Sequence, residues 1–177
     1  MLIQNYGLFW DREWIHFGSG SNAGHLKGIL VGAKTSGTVD FRDQQGVYCL
    51  YDDTFRLVYA GQAGGGNDQR LFHRLRQHRD DRVSERWSKF SWFGIRQVLG
   101  TGELKAIKKT IHPKIGDVLN HIEAILISAA EPVHNRQGGR FGDTVEQYRQ
   151  WKDDGNFGPG SLEMIREIWK KMQDSDK

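Results

Sequence analysis

Gly46-Val47-Tyr48-Cys49-Leu50-Tyr51-Asp52-Asp53-Thr54-Phe55-Arg56-Leu57-Val58-Tyr59-Ala60-Gly61 decides how this chain is read. Both flanks are rich in β-branched and aromatic residues, which suit a pleated, half-buried surface. The Asp52-Asp53-Thr54 centre is turn material. The pattern predicts a β-hairpin with strands over 46–51 and 55–60. If the turn takes about four residues, Tyr48 and Tyr59 face each other and their phenols converge. Cys49 reads as a small core residue of the first strand. As the only cysteine it makes neither an internal disulfide nor a multi-cysteine zinc site.

Downstream, Gly61 to Gly66 form a glycine-rich loop, and Asn67 or Asp68 can cap a helix over about 68–79. Leu71, Phe72 and Leu75 give that helix its apolar side. Arg74 and His78 stack one turn apart along the border of the stripe, where a cation and an imidazole need a reason. A third strand is expected over 90–95. An apolar helix follows over about 117–130, stopped by Pro132, with Val118, Leu119, Ile122, Ile125, Leu126 and Ala129. Two short amphipathic helices are expected near 143–152 and 161–172. Upstream, residues 6–17 read as one or two strands with a turn, and 18–28 as a loop.

The expected fold is therefore α+β: a small domain with a central, mainly antiparallel three-stranded sheet flanked by helices. The expected pieces are an N-terminal β-rich extension over 1–45, a core over 46–138 and a C-terminal helical extension over 139–177.

Composition narrows the class. The chain has 177 residues, enough to bury a core without disulfides. A formal net charge of +3 is a weak hint of an anionic partner. Its distribution says more, because Arg74, Arg76, Arg79, Arg82 and Arg86 cluster against only Asp80, Asp81 and Glu85. Such a run is also what a solvated helix face looks like. No apolar run approaches the roughly 20 residues needed to span a bilayer. Met1-Leu-Ile-Gln-Asn-Tyr-Gly7 has no basic stretch leading into an apolar one, so a cytoplasmic location is expected and no membrane partner.

Glu123 is the oddest residue. It lies within the apolar helix beside Leu119, Ile122, Leu126 and Ile127, where an ionised carboxylate is costly unless exposed, paired or bound to a cation. The order Gly46-Val47-Tyr48, Tyr59-Ala60-Gly61, Arg74-Leu-Arg-Gln-His78, Glu123-Ala-Ile-Leu-Ile127 and Pro132-Val-His-Asn135 resembles the GIY-YIG nuclease superfamily. Each piece alone is common; five in order at family-like spacing are specific. The resemblance covers roughly 46–138, about half the chain. It departs from the family at Ala60, where isoleucine or valine is usual, and in a longer 61–68 loop.

The resemblance implies a metal-dependent endonuclease that hydrolyses phosphodiester bonds of nucleic acid, DNA ahead of RNA. Its implied catalytic residues are Tyr48, Tyr59, Arg74, His78, Glu123 and Asn135. Glu123 suits one Mg²⁺ or Mn²⁺, and no second carboxylate stands at obvious spacing, so a one-metal site is expected. Arg74 offers a permanent cation with fork geometry for phosphate oxygens. Tyr48 is implied as general base or water-orienting relay. Its ordinary pKa of about 10 makes it a poor base unless a cation helps, and His78 is placed to accept its proton. Asn135 is expected to fix a loop or orient Glu123.

Substrate contact is expected from Arg76, Arg79, Arg82, Arg136 and Arg140, with Arg86 in the same run. Trp87, Trp92 and Phe93 suit either base stacking or the core, the core being favoured. His16, His25 and Lys27 are candidates for a further substrate wall. Two rival readings use the same scaffold: a non-catalytic nucleic-acid binder, and a protein-interaction module built on the tryptophan-rich N-terminus or the C-terminal helices. A homodimer through those helices would suit a cutter of two strands.

Overall fold

The computed structural model describes residues 2–19, 24–33, 37–64, 69–107, 115–131, 139 and 141–152. In chain order the elements are β1 (Asn5–Asp11), β2 (Lys27–Leu30), β3 (Val39–Asp40), β4 (Gly46–Tyr51), β5 (Leu57–Ala63), α1 (Leu71–Gln77), β6 (Lys89–Gly94), α2 (Ile115–Ala130) and β7 (Glu146–Gln150), with a 3-10 turn at Arg12–Trp14. The strands form a single sheet of seven, in the order β3-β2-β7-β1-β6-β4-β5. All pairs are antiparallel except β1 with β7.

This corrects the expected three-stranded sheet. The hairpin β4–β5 and the third strand β6 are present, but β6 is not an edge. β1 pairs along its outer side, and β7, β2 and β3 continue the sheet. Pairing removes an otherwise exposed row of backbone donors and acceptors. The segments 1–45 and 139–152 thus supply strands to the same sheet as the expected core, with two helices among the described residues. The helix expected near 143–152 is the strand β7. Only Tyr148 of that strand is buried, and it is hydrogen-bonded on both sides, by β1 and β2. Those partners lie far away in sequence, so local periodicity does not reveal them. The helix expected over 161–172 lies outside the described residues.

α1 and α2 cover opposite faces. Alternation along β4 sends Tyr48 and Leu50 to one side, where they pack with Leu71, Phe72 and Leu75 of α1, and with Phe90 and Trp92 of β6. Cys49 and Tyr51 point the other way, against Ala124 and Ala129 of α2, with Ile3, Phe93 and Phe141. Coverage on both faces explains why β4 and β6 are buried almost throughout.

α2 is apolar around most of its circumference, and the structure settles which side is inward. His121, Ala124, Ser128 and Ala129 are buried, while Leu119, Ile122 and Leu126 are 60%, 48% and 61% exposed. Small side chains let the helix approach the sheet. His121 Nδ1 accepts the backbone N–H of Leu2 and Ile3 at 3.2 and 2.9 Å, and the Tyr51 hydroxyl donates to the Ala129 carbonyl at 2.9 Å.

Candidate active site

The site lies on the α1 face. Two glycines shape it. Gly46 adopts φ +149°, and a Cβ there would stand 1.9 Å from the Phe93 carbonyl oxygen, so only glycine lets β4 start this close to β6. At Gly61 a Cβ would meet the Tyr48 hydroxyl at 2.6 Å and the Tyr59 ring at 2.7 Å. The missing side chain is the space those two tyrosines occupy.

Tyr48 and Tyr59 share the face but are not directly opposite. The hairpin is offset by two residues, so Tyr48 faces Gly61 and Leu50 faces Tyr59. The turn at Asp52 is longer than the hairpin pattern suggested, and its Oδ1 accepts the N–H of both Thr54 and Arg56 at 3.0 and 2.9 Å. The two rings still approach, with centroids 6.1 Å apart.

Helix α1 supplies the cation and the imidazole. Its inward stripe of Leu71, Phe72 and Leu75 fixes its rotation, so Arg74 and the C-cap residue His78 border the tyrosines. Arg70 stands at its N-cap without a side-chain cap; Asn67 and Asp68, the expected caps, lie outside the described residues. The Tyr48 hydroxyl is 2.7 Å from His78 Nε2, and His78 Nδ1 is 2.7 Å from Asp81 Oδ2. The His78 and Tyr59 rings lie 4.6 Å apart. Trp87 Nε1 donates to the His78 carbonyl at 3.0 Å and pins the backbone.

Arg74 is half-buried. Its Nη1 donates to Gln69 Oε1 at 3.2 Å and Gln77 Oε1 at 2.7 Å, while its Nε is buried without a partner among the described residues. Its guanidinium also acts on both tyrosine hydroxyls. Burial raises the pKa of Tyr48, the hydrogen bond and charge of Arg74 pull it down, and burial prevails: the phenol is pushed up to about 12. Tyr48 therefore keeps its proton at neutral pH, and the expected cation is present without making it a phenolate.

Four of the six expected catalytic residues, Tyr48, Tyr59, Arg74 and His78, are brought together. Glu123 is not among them. It sits on the solvent side of α2, across the sheet, exposed next to the equally exposed Ile122. Its neighbours Leu119, Ile122 and Leu126 are themselves exposed, so the carboxylate bears no burial cost there. Glu123 in this position does not fit a cation shared with Tyr48, Tyr59, Arg74 and His78. No three His, Cys, Asp or Glu side chains converge elsewhere among the described residues. Asn135, Arg136 and Arg140 lie outside those residues.

Of the expected substrate contacts, Arg76 is half-buried, and Arg79, Arg82 and Arg86 are exposed. Arg79 lies over the Phe17 ring at 4.8 Å and lines a cleft of about 730 Å³ with Asp11, Arg12, Glu13, Trp87 and Lys89. That cleft begins one residue beyond His78 but contains none of the four gathered residues. Trp87, Trp92 and Phe93 are core residues, buried to 3%, 1% and 0% exposure. His16 and His25 stack on each other at 4.8 Å across an isolated bridge.

Asp81, Gln69 and Gln77 were not legible as site residues. Asp81 had one usable signal, its i+3 spacing from His78 where α1 ends.

No protein-family model, curated protein or solved structure matches the chain. No described helix is long and apolar enough to cross a membrane.

Proposed function

We propose that this chain hydrolyses phosphodiester bonds of nucleic acid, DNA ahead of RNA, at the Tyr48–Tyr59–Arg74–His78 site. The observation that carries the reading is the 2.7 Å contact between the Tyr48 hydroxyl and His78 Nε2, beside a guanidinium whose Nε has no partner among the described residues. The positions are those that the GIY-YIG resemblance assigns to chemistry; Gly61 leaves the room that Tyr48 and Tyr59 occupy, and Gly46 lets β4 approach β6.

Each group then has a defined task. Arg74 places its guanidinium charge against a non-bridging phosphate oxygen and stabilises the charge that builds there. Tyr48 orients the attacking water and accepts its proton while passing its own proton to His78. Tyr59 packs against the imidazole and closes the edge-strand side. Exposed Arg79, Arg82 and Arg86 extend a positive rim for the backbone beyond the scissile bond. We also propose a cytoplasmic setting and a homodimer.

The test is direct. Single- and double-stranded DNA and RNA are incubated with the protein in Mg²⁺, Mn²⁺ or EDTA, with Arg74→Ala alongside. Cleavage of at least one substrate, slowed at least about 100-fold in Arg74→Ala, is expected. Binding without cleavage under every condition would favour the non-catalytic binder.

A further inference from the structure

Asp81 has no role in the reading above, yet its geometry is specific. One oxygen accepts the Val83 N–H at 2.9 Å, and the other lies 2.7 Å from His78 Nδ1. Burial of Asp81 raises its pKa, but the Val83 N–H, His78 and Arg82 outweigh that, leaving it below the ordinary carboxyl value. The carboxylate is therefore ionised at neutral pH and can only accept hydrogen bonds. His78 Nδ1 must then carry a proton. In a neutral imidazole that leaves Nε2 as a bare lone pair, 2.7 Å from the Tyr48 hydroxyl, which holds its own proton and donates it.

We infer that Asp81 is a positioning residue that fixes the Nδ1–H tautomer of His78, so that a Tyr48–His78–Asp81 relay can draw a proton from the nucleophile. The inference rests on the hydrolytic reading only for the identity of that nucleophile. The step balances. The water O–H bond breaks as its proton joins the Tyr48 oxygen. The original phenolic proton moves to His78 Nε2. The hydroxide oxygen bonds to phosphorus as the P–O bond to the leaving nucleoside oxygen breaks, and that oxygen departs as an alkoxide that takes a proton from solvent water. The product imidazolium faces the Asp81 carboxylate, which stabilises it without taking its proton. Three observations hold the relay in place: the Val83 N–H on the second carboxylate oxygen, the Trp87 indole on the His78 carbonyl, and His78 itself at 4% exposure.

Two readouts test this separately. The first is the imidazole nitrogen spectrum of ¹⁵N-histidine-labelled protein near neutral pH, with His78→Gln to assign the resonances. A protonated Nδ1 with a bare Nε2 is expected, shifting toward the Nε2–H form in Asp81→Asn, whose amide can donate to Nδ1. A neutral His78 protonated on Nε2 in the unaltered protein overturns the inference, whether or not the protein cleaves anything. The second is turnover on whichever nucleic acid is cut. Asp81→Asn is expected to lower kcat at least about tenfold with KM within about twofold, and Asp81→Glu to restore part of the loss. Unchanged kcat in a cleaving Asp81→Asn protein also overturns it. If the unaltered protein cuts no nucleic acid while the tautomer and its dependence on Asp81 hold, the relay stands and the substrate class falls.

Discussion

Tyr48 and Tyr51 stand three residues apart on β4 and face opposite sides of the sheet. The Tyr48 hydroxyl meets an imidazole nitrogen and the field of an arginine, whereas the Tyr51 hydroxyl donates to the Ala129 carbonyl at the end of α2. Burial raises both phenols. What separates them is the partner: a group that can take a proton on one face, a peptide carbonyl that cannot on the other. A tyrosine in a hairpin strand is by itself uninformative. The helix that packs over it decides whether it does chemistry or holds a helix end.

The difference can be broken or sharpened experimentally, and alkali should show the largest effect. Tyr48, Tyr51 and Tyr148 all have raised pKa values, with burial the first cause in each case. A raised folded value means that the unfolded chain releases these protons first. Their contribution is intact below about pH 10, the ordinary tyrosine value, and is lost progressively as pH climbs toward about 12 and beyond. Denaturant midpoints across pH 8–12 should fall steeply above pH 10, and the fall should be shallower in Tyr48→Phe and in Tyr51→Phe. Next, Gly61→Ala forces a Cβ into the space between Tyr48 and Tyr59. It is expected to cost about 1–3 kcal/mol and to slow cleavage more than the stability loss alone explains; thermal melts and initial rates on one preparation measure both.

Smaller effects belong to the α2 face. Tyr51→Phe deletes one buried hydrogen bond and leaves the Ala129 carbonyl unpaired by it, a loss of about 1 kcal/mol by chemical denaturation. Glu123→Ala sits at an exposed helix position and should change stability by no more than about 0.5 kcal/mol. A fall in cleavage by that variant would then be chemical rather than structural, and would draw the outer side of α2 into the reaction.

The α1 face was largely legible in the sequence because its information is local. The hairpin follows from Gly46–Gly61, the helix from Leu71, Phe72 and Leu75, and the arginine–histidine pair from a single turn of spacing. The hairpin offset was not legible, because it depends on how the Asp52 side chain closes the turn on Thr54 and Arg56. Nor was the α2 face. Leu119, Ile122 and Leu126 look like the inward stripe, yet the sheet accepts Ala124, Ser128 and Ala129, a preference set by close approach rather than hydrophobicity. That rotation carries Glu123 outward. β7 was hidden for the same non-local reason, its two partners lying more than a hundred residues upstream. Asp81 sat in plain view as a charge in a charged run; apart from its i+3 spacing from His78, the bonded geometry is what distinguishes it from Asp80.

The most direct measurement is single-turnover cleavage by Tyr48→Phe and Tyr51→Phe side by side, well below the melting temperature of either. Cleavage is expected to fall by about 10²–10⁴ in Tyr48→Phe and to stay within about threefold of the unaltered protein in Tyr51→Phe. Equal rates in the two variants, or a larger loss in Tyr51→Phe, would contradict the assignment of chemistry to the α1 face.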